Sequence, residues 1–165
     1  MAEPYRAELT ASVPPGPACA WMFDLTDDDY EDPAFLEGAL RKERRVLAKE
    51  PGRVVVEDRL LGVAVRTTLR RAAEDAIEVE GEAPGLRLRG AVRFEPLDGG
   101  AACRIVYDGA LEARTALAAA LPALRAAYER AWRATEATHV RLMEAEWQRA
   151  PWDAEGRPMA RAASR

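Results

Sequence analysis

The sequence predicts an α+β domain in which a curved antiparallel sheet of about seven strands wraps around one long C-terminal helix. Three observations predict it. Residues 45–112 break into short stretches of alternating polarity, each closed by turn residues. An earlier alternating stretch, Tyr5 to Val13, precedes two short helical segments. A single apolar stripe at three- and four-residue spacing runs from Leu121 to about Arg149. The expected order is therefore strand, two short helices, six strands, long helix. A chain of 165 residues fits one such domain, placed at residues 1–150, with 151–165 as a loose C-terminal tail.

Each element has a local reason. In the first strand Ala7, Leu9, Ala11 and Val13 share one face, and Arg6, Glu8, Thr10 and Ser12 the other. Pro14, Pro15 and Gly16 end it, and the cluster from Cys19 to Leu25 suits a short helix starting near Pro17. Asp32 before Pro33 fits the start of a second short helix, with the basic run Arg41 to Arg45 near its C-terminal end, where the macrodipole favours cations. Strands are then expected at 45–50, 53–61, 63–71, 77–83, 86–97 and 102–112, separated by Pro51-Gly52, Gly62, Glu74-Asp75, Pro84-Gly85 and Asp98-Gly99-Gly100. Hairpin-sized links make this an antiparallel meander. Thr115 can cap the last helix and Pro122 marks its first turn; beyond Pro151 only Trp152 offers an anchor.

Alternation also assigns the sheet faces. Val54, Val56, Val65, Leu69, Val79 and Leu88 belong to the inner face, and Arg66, Arg70, Glu78, Glu80, Arg89 and Arg93 to a wet outer face laced by opposite charges. No aromatic residue falls among those arginines and the net charge is -4, which argues against nucleic acid. Cys19 and Cys103 lack paired spacing and are expected as free core thiols in a reducing cytoplasm. The N-terminal residues carry no export pattern and no apolar run is long enough to span a membrane. One histidine and two scattered cysteines supply no metal-ligand set, and phosphate-cradling or nucleophile-elbow motifs are absent, so neither metal nor cofactor is expected.

The element order and three stretches, YRAELTASVPPGPACAWMFDLTD, RRVLAKEPGRVVVEDRLLGVAVRTTLR and LPALRAAYERAWRATEATHVRLMEAEW, resemble the START-like (SRPBCC) superfamily of polyketide cyclase/dehydrase-like helix-grip proteins. The loop DLTDDDYEDPAF is similar to the aromatic-rich loop that follows the first helix in that family. The resemblance implies an elongated cavity between sheet and C-terminal helix for a lipid, sterol, quinone or polyketide-like molecule. Its expected lining is Trp21, Thr67, Phe94, Tyr107, Tyr128, Trp132 and Thr135, with Tyr30 and Phe35 near the mouth.

Binding or carriage of such a molecule is the leading expectation. A cyclase-like enzyme is the alternative, with Asp58, Tyr107 and His139 as acid–base candidates; a protein-interaction module with a filled core is the third, and a homodimer is compatible with all three. His139 has no carboxylate partner evident from spacing and reads first as a hydrogen-bonded helix residue. Asp58 falls on the apolar face of its strand, so either a bulge turns it outward, a buried arginine pairs with it, or it faces a wet pocket. The bulge is preferred because Gly62 lies close by.

Overall fold

The computed structural model describes residues 2–31, 35, 42–60, 63–114 and 119–159. Seven strands form one curved antiparallel sheet. They are β1 (Ala2–Ala11), β2 (Lys42–Glu50), β3 (Arg53–Leu60), β4 (Val63–Ala73), β5 (Ala76–Ala83), β6 (Leu86–Leu97) and β7 (Ala102–Ala113). The spatial order is β1-β7-β6-β5-β4-β3-β2, so six strands follow one another as hairpins and β1 closes the sheet beside β7. Pro51-Gly52 and Pro84-Gly85 make two-residue links in which Gly52 and Gly85 take φ values of 72° and 77° that L side chains resist.

Two strands start well before their expected positions. β1 starts at Ala2, earlier than Tyr5, and β2 starts at Lys42, inside the basic run expected at a helix end. From Lys42 onward every second residue turns inward, so Lys42, Arg44 and Val46 point the same way. The second short helix at Asp32 and Pro33, the Gly62 corner and the Thr115 cap lie outside the described residues.

Among the described residues, helices α1 (Pro15–Phe23) and α2 (Leu121–Arg149) complete the fold. With 29 residues, α2 is about 43 Å long and packs along β1 and β7, touching α1. Packing is densest where α1, β6, β7 and the C-terminal half of α2 meet, around Val13, Cys19, Phe94, Cys103, Ile105 and Met143. Both cysteines are free and buried there, and burial pushes the thiols up to about 11 for Cys19 and about 12 for Cys103.

Beyond α2 the chain folds back on the domain. The Trp152 indole donates to the Pro17 carbonyl at 2.8 Å and meets Trp147 edge-on, while Arg71 donates to the Ala154 carbonyl at 2.7 Å. The chain from Pro151 to Met159 is thus tied to α1 and β4, where the sequence had led us to expect a loose end. Among the described residues, no helix is long and apolar enough to cross a membrane.

Candidate functional site

Where α2 crosses the sheet, the inner face is only partly covered. A cavity of about 760 Å³ remains between β3–β7, α1 and the middle of α2. Its walls are mostly apolar: Val56, Val65, Leu69, Val79, Leu88 and Leu111 from the strands, Ala131, Trp132 and Leu142 from α2, and Trp21 and Met22 from α1. Small residues contribute less void than their number suggests. Gly90 and Gly109 face each other across β6 and β7, and a Cβ on Gly109 would come within 2.7 Å of the Tyr107 ring. Their missing side chains make room for Tyr107 rather than for a ligand.

Tyr107 is 2% exposed and stacks on Tyr5 at 5.0 Å between centroids; Tyr128 meets Tyr5 edge-on at 5.4 Å and Trp132 lies 5.3 Å from Tyr107. The Tyr5 hydroxyl lies close enough to those of Tyr107 and Tyr128 to interact with both, and Tyr5 and Tyr107 make no hydrogen bond of ordinary geometry among the described residues. Burial pushes the Tyr107 phenol up to about 12 and raises those of Tyr5 and Tyr128 as well, so all three stay protonated near neutrality and donate rather than accept a charge.

A second cluster, charged, lies at the β2–β3 edge of the cavity. Asp58 does not bulge outward. Its strand keeps unbroken register with β4, and the one irregularity nearby falls in β2 between Val46 and Ala48. The buried Arg44 guanidinium instead grips both Asp58 oxygens, at 2.7 and 2.8 Å, and also donates to Asp29 at 2.6 Å and the Tyr30 hydroxyl at 2.8 Å. Burial alone would lower the pKa of Arg44; the Asp58 carboxylate, with Tyr30 and Asp29, outweighs it and holds the pKa raised. Of the three readings of Asp58, the pairing with a buried arginine and the exposure to the cavity both hold.

Lys42, two residues before Arg44, sends its Nζ to Thr135 Oγ1 on α2 at 2.8 Å and sits 5.4 Å from the centre of the Tyr30 ring. Burial lowers its pKa, opposed by the negative charges of Glu136 and Asp58. One turn along α2, His139 Nδ1 lies 3.3 Å from Glu136 Oε2, giving His139 the carboxylate partner that had not been recognised. Burial works against a charged Glu136, but His139, Lys42 and Arg44 outweigh it and hold the carboxyl below the usual range. The His139 ring is also surrounded by Phe35, Tyr30 and Trp21 at 4.8, 5.8 and 6.1 Å.

Of the residues expected at the site, Trp21, Tyr30, Asp58, Thr67, Tyr107, Tyr128, Trp132, Thr135 and His139 all line the cavity. Phe94 does not: it is 1% exposed and packs in the solid core with Cys19 and Cys103. Phe35 stands behind the wall, against Tyr30 and His139. Lys42, Arg44 and Glu136 were missed. The first two belong to a strand whose inward face is charged and so lacks an apolar alternation. The three-residue spacing of Glu136 and His139 was a usable signal.

No family model matches the chain and no curated protein matches it. Solved structures do. An aromatase/cyclase, Zhui, from a Streptomyces species is similar over 90% of this chain and 95% of its own, at 16% identity and a TM-score of 0.65. Ara h 8.0201 is similar over 88% and 99%, at 13% identity and a TM-score of 0.59. Norcoclaurine synthase from Thalictrum flavum is similar over 86% and 87%, at 11% identity and a TM-score of 0.59. The strand order, the long gripping helix and these likenesses agree, and the chain has the helix-grip fold of the START-like (SRPBCC) proteins.

Proposed function

We propose that the chain binds or carries a largely apolar small molecule in the cavity under α2, with the molecule's polar end at the Lys42–Thr135–Glu136 cluster. One observation carries this: a void of about 760 Å³ with apolar walls and a few convergent polar groups. Volumes of roughly 300–1,000 Å³ with such a lining are typical of small-molecule sites. Tyr107, which lines the cavity beside Tyr5 and whose hydroxyl makes no hydrogen bond of ordinary geometry among the described residues, supplies a second donor for a ligand oxygen. The fold supports the same reading, since the similar solved structures include the aromatase/cyclase Zhui and a norcoclaurine synthase. Native mass spectrometry of protein purified from its own host tests it. A co-purifying stoichiometric lipid-like or polyketide-like molecule is expected, and denatured extracts devoid of one would count against carriage.

A second reading, a cyclase-like enzyme working in the same cavity, is favoured by the facing of an acid–base pair, His139 and Glu136, and the Asp58–Arg44 pair across Lys42 and Tyr30. In that reading His139 and Asp58 handle protons and Tyr107 orients a carbonyl. Turnover of any identified substrate should fall on His139→Gln in a folded variant, and full activity would end that assignment.

A further inference from the structure

We propose that Lys42 captures the carbonyl carbon of an apolar aldehyde or ketone inside the cavity and holds it as an imine. This rests on the ligand-binding reading above and names the ligand's reactive group.

Composition gives the first argument. Of the 24 basic residues only Lys42 and Lys49 are lysine. Lys49 is half-exposed and paired with Asp24, an ordinary surface ion pair. The other stands in the cavity wall of a chain that uses arginine almost everywhere else. A guanidinium never gives up its proton in a protein, whereas an amine does and then becomes a nucleophile.

Geometry gives the second. The groups facing Lys42 are Arg44 and Asp58 from the sheet, Tyr30 from the loop after α1, and Thr135, Glu136 and His139 from α2. Asp58 on β3 and Asp29 in the loop after α1 are engaged by Arg44. Among the described residues Lys42 makes no ion pair within 4.0 Å, and its one hydrogen bond runs to a neutral hydroxyl, Thr135 Oγ1. Arg44 therefore occupies the carboxylates on the sheet side, and none of them bonds the amine directly. The remaining charge, Glu136, is paired with His139, a couple that can pass a proton.

The step balances without oxidant or reductant. The neutral Nζ attacks the carbonyl carbon, a C–N bond forms, the C=O π bond breaks, and the oxygen takes a proton to give a carbinolamine. Loss of the second N–H proton and departure of the protonated hydroxyl as water leave the C=N bond. Thr135, hydrogen-bonded to Nζ at 2.8 Å, and the Glu136–His139 pair next to it on α2 are the polar groups through which that proton returns by way of water.

Reductive trapping tests this. The full-length protein is incubated with naphthaldehyde and sodium cyanoborohydride near neutral pH, followed by intact mass and peptide mapping; naphthalenemethanol and naphthoate, which cannot form an imine, are titrated in parallel by tryptophan fluorescence. One adduct per chain is expected, at Lys42, forming roughly tenfold or more faster than at Lys49 because the cavity holds the carbonyl beside the amine. Lys42→Arg, with an unchanged circular dichroism spectrum, should take no cavity adduct, whatever its affinity for naphthalenemethanol. Labelling at Lys49 or the amino terminus as fast as at Lys42 overturns the proposal. An unmodified Lys42 in protein that binds naphthalenemethanol or naphthoate also overturns it, while leaving the binding reading intact. Failure of all three compounds to bind removes both.

Discussion

Arg44 is the residue on which the charged edge of the cavity depends. Its side chain is 7% exposed and neutralises Asp58 and Asp29 while donating to Tyr30, so replacing it leaves two carboxylates without a counter-charge in a low-dielectric place. Arg44→Met should cost about 3–5 kcal/mol in urea unfolding, the usual penalty for breaking a buried pair. Two neighbours set pH dependence with signs that can be worked out. The folded pKa of Glu136 lies below its ordinary value of 4.5, so its stabilisation is complete above that value and is lost as pH falls through the lowered one. Glu136→Gln should flatten the acid limb of stability against pH. Lys42 is also lowered from 10.5, so the unfolded chain binds the extra proton and stability rises as pH climbs from the lowered value toward 10.5. Lys42→Met should remove that rise in pH-resolved thermal melts. Alternation placed Asp58 inward and offered a buried arginine as one of its readings, but the rest of this charge network was not legible, because Lys42 and Arg44 occupy inward positions where a period-two reading looks for apolar residues.

At the scale of elements, α2 and the β3–β7 hairpins were legible almost residue for residue, since strong periodicity and Pro-Gly turns leave few alternatives. The start of β2 was not, because a run of lysine, arginine and glutamate carries the composition of a helix end as well as of a charged strand. The pairing of Gly90 with Gly109 across β6 and β7 is the seat of the Tyr107 ring, something only the cross-strand register reveals. A methyl group on Gly109 would press on that ring and on the Arg89 carbonyl at 2.9 Å. Gly109→Ala should therefore destabilise by about 1–3 kcal/mol in chemical unfolding and disturb the Tyr5–Tyr107 stack.

For the whole molecule, the question is how a curved sheet and a one-sided helix share an interior. They close it densely at the C-terminal half of α2, where Val140 and Met143 meet Cys19 and Phe94, and leave it open over the middle of the helix. The apolar stripe predicted that α2 would lie on the sheet. It could not show how far apart the two would stand, because the same Trp132 and Tyr128 fill a core or line a void according to a separation of a few ångströms. Ala131 lines the void from α2, so Ala131→Phe should reduce it without touching the charged edge or the solid core. Fluorescence titration with the apolar probe N-phenylnaphthylamine, comparing the parent with Ala131→Phe, is the most direct test. Saturable one-to-one binding by the parent, weakened on the order of tenfold in a variant of unchanged fold, is the result the account predicts. A parent that shows no saturable binding, or a variant that binds as well as the parent, would contradict it.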